Sequence, residues 1–278
     1  MKPSLIALCM LLLAGFPAAA QEREKIPVDL ELVLAVDVSG SIDEGEAALQ
    51  RRGYIDAIRH PEVVKAVTSG ILRRIGVTYF EWAGQFWQKP VVGWRLIDSQ
   101  KAADAFAAEL AAKPVGLGPW TSISTAILFG MEQFEQSPFE GTRQILDISG
   151  DGPNNTGAML PGARDLATAR RITINGLPII NDRPNFGRQP MPNLDLYYRN
   201  CVIGGPGAFI VAADGFGDFA RAIRRKLVLE IAGRRPAGQD RLRGTGFAQS
   251  RPGPETGRWV PPCDEGEKRF RGMIDDEW

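Results

Sequence analysis

The stretch LVLAVDVSGSIDEGE, Leu32–Glu46, decides how this chain is read. It ends the nearly continuous apolar run Leu30–Val36, the pattern of a strand covered on both faces. Asp37, Ser39 and Ser41 follow at alternate positions, with Gly40 between the serines to let the backbone bend without steric cost. A helical pattern then runs from Glu44 to Arg59, with Ala47, Tyr54, Ile55 and Ile58 on one side. A buried strand, a short oxygen-rich loop and a helix in succession form the start of an α/β unit.

Working outward, RIGVTYFEWAG (Arg74–Gly84) and KPVVGWRLI (Lys89–Ile97) are strand-like and separated by only a few residues. That gap admits a hairpin and no crossover helix, so this pair is expected to be antiparallel. Helices are predicted at Lys101–Ala112 and Ile123–Phe134, then a strand at Arg143–Ser149, a helix at Ala163–Arg171 and a strand at Ile172–Ile180. A polar loop, Asn181–Asn200, leads to a last strand, Gly207–Ala213. The final helix places Phe216, Phe219, Ile223, Leu227 and Ile231 on one face, with the basic run RAIRRK on its solvated side. The alternation predicts an α/β fold: a doubly wound, mostly parallel sheet with one antiparallel edge strand. The domain is expected to span residues 28–233. Residues 234–278, richer in Arg, Gly and Pro at first, read as an irregular tail lying over it.

Composition narrows the function. The 278 residues carry 33 basic and 33 acidic side chains, a balance that argues against a nucleic-acid partner. The opening MKPSLIALCMLLLAGFPAAA has a basic start, an apolar core and a small-residue end, which predicts a signal peptide, 1–20, cleaved after Ala20 and an exported protein, periplasmic or secreted. Cys9 sits inside that apolar core behind Leu8, so it is no lipidation site. No later apolar run is long enough to span a bilayer. Cleavage leaves Cys201 and Cys263, which in an exported protein are expected to pair, the alternative being two buried thiols.

Three loops fall where functional residues gather in such a sheet, at the carboxyl ends of parallel strands. They are DVSGS after the first strand, GLGPWTSIS before the Ile123 helix, and GDGPNN after RQILDIS. Asp37, Ser39, Ser41, Thr121 and Asp151 then offer only oxygen donors, the chemistry of a hard divalent cation such as Mg²⁺, with Mn²⁺ or Ca²⁺ as alternatives. If the hydroxyls ligate and the carboxylates act through water, the ion keeps charge with which to seek an external carboxylate. Ser122 is the alternative to Thr121 if the loop slips by one residue.

These motifs resemble the metal-ion-dependent adhesion site of the von Willebrand factor A domain family, over roughly Val28 to Gly233. More narrowly, an exported chain with a Cys-bearing tail resembles an uncharacterised bacterial family of such domains. The resemblance implies that Ser39, Ser41 and Thr121 contact the metal directly, that Asp37 and Asp151 hold it largely through waters, and that an Asp or Glu of a protein partner completes the shell. It implies a non-enzymatic interaction module. DVSGS and SGDGPNN also resemble the nucleophile and magnesium loops of haloacid dehalogenase-type phosphotransferases, in which Asp37 would attack a phosphoryl group and Asp151 would hold magnesium. Asn155 replaces the second Asp of that pattern, and export removes the chain from cytosolic ATP.

Other features point less far. His60, the only histidine, precedes Pro61 and reads as a helix-end residue, and no G-x-S-x-G accompanies it. Phosphate-loop and dinucleotide signatures are absent. Trp120, beside Thr121, is expected to frame the metal face and meet the partner, and the Asn181–Asn200 loop to help select it.

Overall fold

The apolar run read from the sequence is the central strand of the sheet. The structure, a computed structural model, describes residues 24–181, 189–236 and 257–275. The expected signal peptide and residues 182–188 of the polar loop lie outside these. The described elements are β1 (Ile26–Val28), β2 (Glu31–Asp37), α1 (Glu44–Ile58), α2 (Pro61–Thr68), β3 (Ile75–Trp82), β4 (Gln88–Ile97), α3 (Gln100–Ala111) and α4 (Ile123–Glu135). They continue with β5 (Phe139–Gly141), β6 (Gln144–Gly150), α5 (Leu160–Ala169), β7 (Thr173–Ile180), α6 (Leu194–Tyr197), a π-helical turn (Tyr198–Val202), β8 (Ala213–Asp214), α7 (Gly215–Ile231) and α8 (Glu265–Asp275).

Six strands form one sheet in the order β4-β3-β2-β6-β7-β8, with β1 and β5 paired apart from it. The β3–β4 hairpin is antiparallel and β4 is the edge, as the short gap between them requires. β2 is parallel to both its neighbours, β3 and β6. All of its residues are buried. Leu32, Leu34 and Val36 face the layer of α1, α3 and α7, while Val33 and Ala35 face α4, α5 and α6. Each of these Leu and Val side chains, fully withdrawn from water, contributes about 1.5–3 kcal/mol. Helix α1 starts where the sequence says it should: Asp43 caps it, accepting from Glu46 N at 2.8 Å, while Glu46 Oε2 accepts from Asp43 N at 3.1 Å.

Four readings are corrected. The expected strand Gly207–Ala213 shrinks to β8, because Gly205 and Gly207 take positive φ and the Asn175 side chain, not a strand partner, accepts from Phe209 N. His60 does not close α1. It caps α2, a helix not anticipated, its Nδ1 accepting from Glu62 N at 3.3 Å with Pro61 at the first position. The RAIRRK run is not wholly solvated: Lys226 is fully buried, with Nζ 2.6 Å from Asp147 Oδ1 and 2.5 Å from Glu230 Oε1. The tail, expected to be irregular, contains α8.

Candidate metal centre

β2 and β6 are parallel neighbours in register, so Asp37 and the Gly150–Asp151 turn leave the sheet side by side. The loop before α4 approaches the same point, with Asn155 Oδ1 accepting from Thr121 N at 2.9 Å and Asn154 Oδ1 accepting from Ser124 N at 2.9 Å. The outcome is a chain of oxygens. Thr121 Oγ1 donates to Ser39 Oγ at 3.2 Å, Ser39 and Ser41 Oγ lie 3.3 Å apart, and Ser41 Oγ donates to Asp151 Oδ1 at 2.5 Å. Asp37 sits beneath, its Oδ1 accepting from Ser39 N at 2.8 Å, and its own carbonyl accepts from Gln50 Nε2 at 3.2 Å. All five residues singled out in the sequence are thus brought together. Ser122 is turned away, its Oγ bonded to Thr125 Oγ1 at 2.8 Å at the start of α4.

The electrostatics ask for a cation. Burial, and then the nearby Asp151, raise the Asp37 carboxyl well above the usual carboxylate range. Burial likewise raises Asp151 to about 6, with Glu46 adding repulsion. Neither carboxylate has an ion pair with a Lys or Arg among the described residues, and the buried Asp37 Oδ2 has no hydrogen-bond partner there. Among the described residues no three His, Cys, Asp or Glu side chains gather as a metal cluster. The donors are chiefly hydroxyls, with two carboxylates behind them, a set that suits Mg²⁺, Mn²⁺ or Ca²⁺ and not a soft metal. By donor chemistry and by the unpartnered carboxylate oxygen, these residues fit a hard divalent ion.

Sequence reading missed Tyr198. Its ring comes from the π-helical turn inside the supposed polar loop, and it is fully buried. A Cβ on Gly150 would stand 2.7 Å from Asp37 Oδ2 and 2.8 Å from Tyr198 OH, so the two oxygens share the floor of the site. Glu46 was read only as part of α1. Trp120 takes a left-handed backbone (φ 62°), is 41% exposed, and sets its ring 4.6 Å from that of Phe270 on α8. α8 also reaches the loop after Asp151, where Glu267 Oε1 accepts from Asn154 Nδ2 at 2.8 Å. Cys201 and Cys263 are joined by a disulfide, which anchors this tail beside the site.

The sheet order, the antiparallel edge hairpin and the helices on both faces make this a von Willebrand factor A-type fold, and solved structures bear that out. Proximal thread matrix protein 1 of the mussel byssus superposes with a TM-score of 0.52 at 16% identity, covering 75% of this chain and 48% of that one. The pilus adhesin SpaC from Lactobacillus rhamnosus GG gives 0.52 at 14%, covering 74% and 30%. A von Willebrand factor type A protein from Catenulispora acidiphila gives 0.51 at 11%, covering 73% and 43%. The chain spans half or less of the length of these proteins. No curated protein matches it. The chain belongs to the family described as "Protein of unknown function (DUF1194)", whose model matches residues 27–235.

Proposed function

We propose that this protein is an exported interaction module that binds a divalent cation, Mg²⁺ or else Mn²⁺ or Ca²⁺, and through it an acidic residue of a protein partner. Asp37, Ser39, Ser41, Thr121 and Asp151 would hold the ion, which when bound supplies a positive charge for the partner's Asp or Glu. The observation behind this is a buried carboxylate, Asp37, and a half-buried one, Asp151, without a basic partner among the described residues and joined by hydroxyls from three loops. The surroundings suit a protein ligand: Phe86 (92% exposed) and Leu117 (43%) stand with Trp120 on loops at this end of the sheet. Among the described residues no helix is long and apolar enough to cross a membrane. That a pilus adhesin shares the fold accords with an interaction role. Asp37 as a phosphoryl acceptor is disfavoured, because its side chain is wholly buried and a nucleophile must meet its substrate.

Calorimetric titration with Mg²⁺, Mn²⁺ and Ca²⁺ tests the ion. Saturable binding is expected in the wild type, weakened at least tenfold in Asp151→Ala; identical isotherms would overturn the reading. Affinity capture with and without chelator then tests the partner, whose retention should need the cation.

A further inference from the structure

The other end of the sheet holds a second candidate site. Between the starts of β6 and β7 and the end of α7 lies a cavity of about 390 Å³, a size suited to a small molecule. β6 runs from Gln144 at the cavity to Gly150 at the metal centre, which separates the two by about 20 Å at a strand's rise per residue.

Four arginines line the cavity: Arg143, Arg171, Arg234 and Arg235. Arg143 is locked in place, its Nη1 and Nη2 donating to Glu230 O and Ile231 O at 2.8 Å each, where they close α7. Its charge remains. Arg171 and Arg234 reach the cavity from different segments, one from the left-handed turn before β7 (φ 64°) and one just after Gly233, itself at φ 65°. Both are exposed, and neither side chain makes a hydrogen bond or ion pair among the described residues. Like charges converging on one cavity repel, so the arrangement favours an anion.

Among the described residues the one acid on the wall, Glu230, does not cancel them, although Asp29 lies near enough to Arg143 to act on its charge. Glu230 Oε1 already lies 2.5 Å from Lys226 Nζ and accepts from Asn175 Nδ2 at 2.8 Å. Burial and the neighbouring Asp147 raise its carboxyl to about 8, which weakens its negative charge near neutral pH. A guanidinium fork matches a phosphoryl group better than any other common anion but a carboxylate. One phosphoryl group brings about −1.5 to −2 charges at neutral pH, so two of them answer the guanidinium groups of Arg143, Arg171 and Arg234.

We propose that this cavity binds a small anion bearing two phosphoryl groups, gripped by Arg143, Arg171 and Arg234. The inference is independent of the metal reading, and its test keeps the two apart. Inorganic pyrophosphate is titrated into the full chain by calorimetry, in chelator and without divalent cations, so that nothing measured passes through Asp37 or Asp151. Binding at one site per chain is expected, weakening with added salt. Arg171→Ala/Arg234→Ala should lose at least tenfold in affinity while melting at the wild-type temperature. Arg52→Ala, on the exposed side of α1, should bind as the wild type does. Absence of saturable binding in the wild type would overturn the proposal, and so would equal binding by the double variant.

Discussion

Thr121 and Ser122 are adjacent hydroxyls with opposite orientations, and the difference can be measured. Thr121 Oγ1 joins the oxygen chain through Ser39, whereas Ser122 Oγ accepts from Thr125 N at 3.4 Å and caps α4. Ser122→Ala should therefore cost about 1 kcal/mol of stability, as loss of a helix cap does, with Mg²⁺ affinity unchanged. Thr121→Ala should do the reverse: roughly tenfold weaker Mg²⁺ binding, or about 1.4 kcal/mol, and near-native melting. Calorimetry and thermal unfolding of both variants check this, and a swap of the two phenotypes would mean the loop is shifted by one residue. Gly150 makes a steric argument. Its Cβ would intrude between Asp37 Oδ2 and Tyr198 OH at under 3 Å from each. Gly150→Ala should destabilise the fold by about 1–3 kcal/mol, the usual cost of overpacking a filled site. Wild-type unfolding by this variant would show that the floor has room to spare and is not the tight enclosure described.

At the scale of elements, the β2–α1 unit was legible because three local signals agree there: an apolar run, an alternating oxygen loop and apolar residues at helical spacing from Glu44 to Arg59. β8 was not, since it depends on where the Asn175 side chain bonds, which no local pattern records. α7 was half legible. Its apolar face followed from spacing, but burial of Lys226 required Asp147 from β6, distant in sequence and adjacent only in the fold. That cluster sets a pH dependence. Glu230 faces Asp147 from β6, Asn175 from β7 and Lys226 on its own helix, and burial raises it from an ordinary 4.5 to about 8. A raised carboxyl binds its proton more tightly folded than unfolded. Its contribution is therefore complete below about pH 4.5 and is lost as pH climbs through about 8. Denaturant unfolding across this window should show stability falling with pH, at up to about 1.4 kcal/mol per unit for the single proton. Glu230→Gln should flatten the profile. An unchanged slope in that variant would assign the proton elsewhere.

At the scale of the whole molecule, the α/β architecture and the meeting of three loops could be read from the order of strands and helices, since parallel strands bring their carboxyl ends together whatever their detail. The placement of the tail could not, because its contacts are made by scattered residues with no periodic signal. Several of those contacts fall on the face of the proposed metal site, while Arg258 and Trp259 hold Asn193 and Asp195. Phe270 meets Trp120, Glu267 meets Asn154, Gly266 packs against the Asn154 carbonyl, and the Tyr197 hydroxyl donates to Cys263 O at 3.3 Å. Asn154 in turn holds the start of α4, so the tail braces the loops that carry Asp151 and Thr121. The Cys201–Cys263 bond spans 62 residues and keeps that brace in place. Closing a loop of this length is worth about 4 kcal/mol on the chain-entropy account. For a domain of this size the Cys201→Ser/Cys263→Ser variant should melt roughly 10 °C lower. Because no described side chain of α8 belongs to the sheet's hydrophobic layers, the largest loosening should be local. Hydrogen exchange should accelerate first and most over residues 151–158 and in α8, while the slowest amides of β2 and β6 lose only the protection that the global destabilisation removes. No acceleration at 151–158 beyond that of the sheet would show that the brace bears nothing.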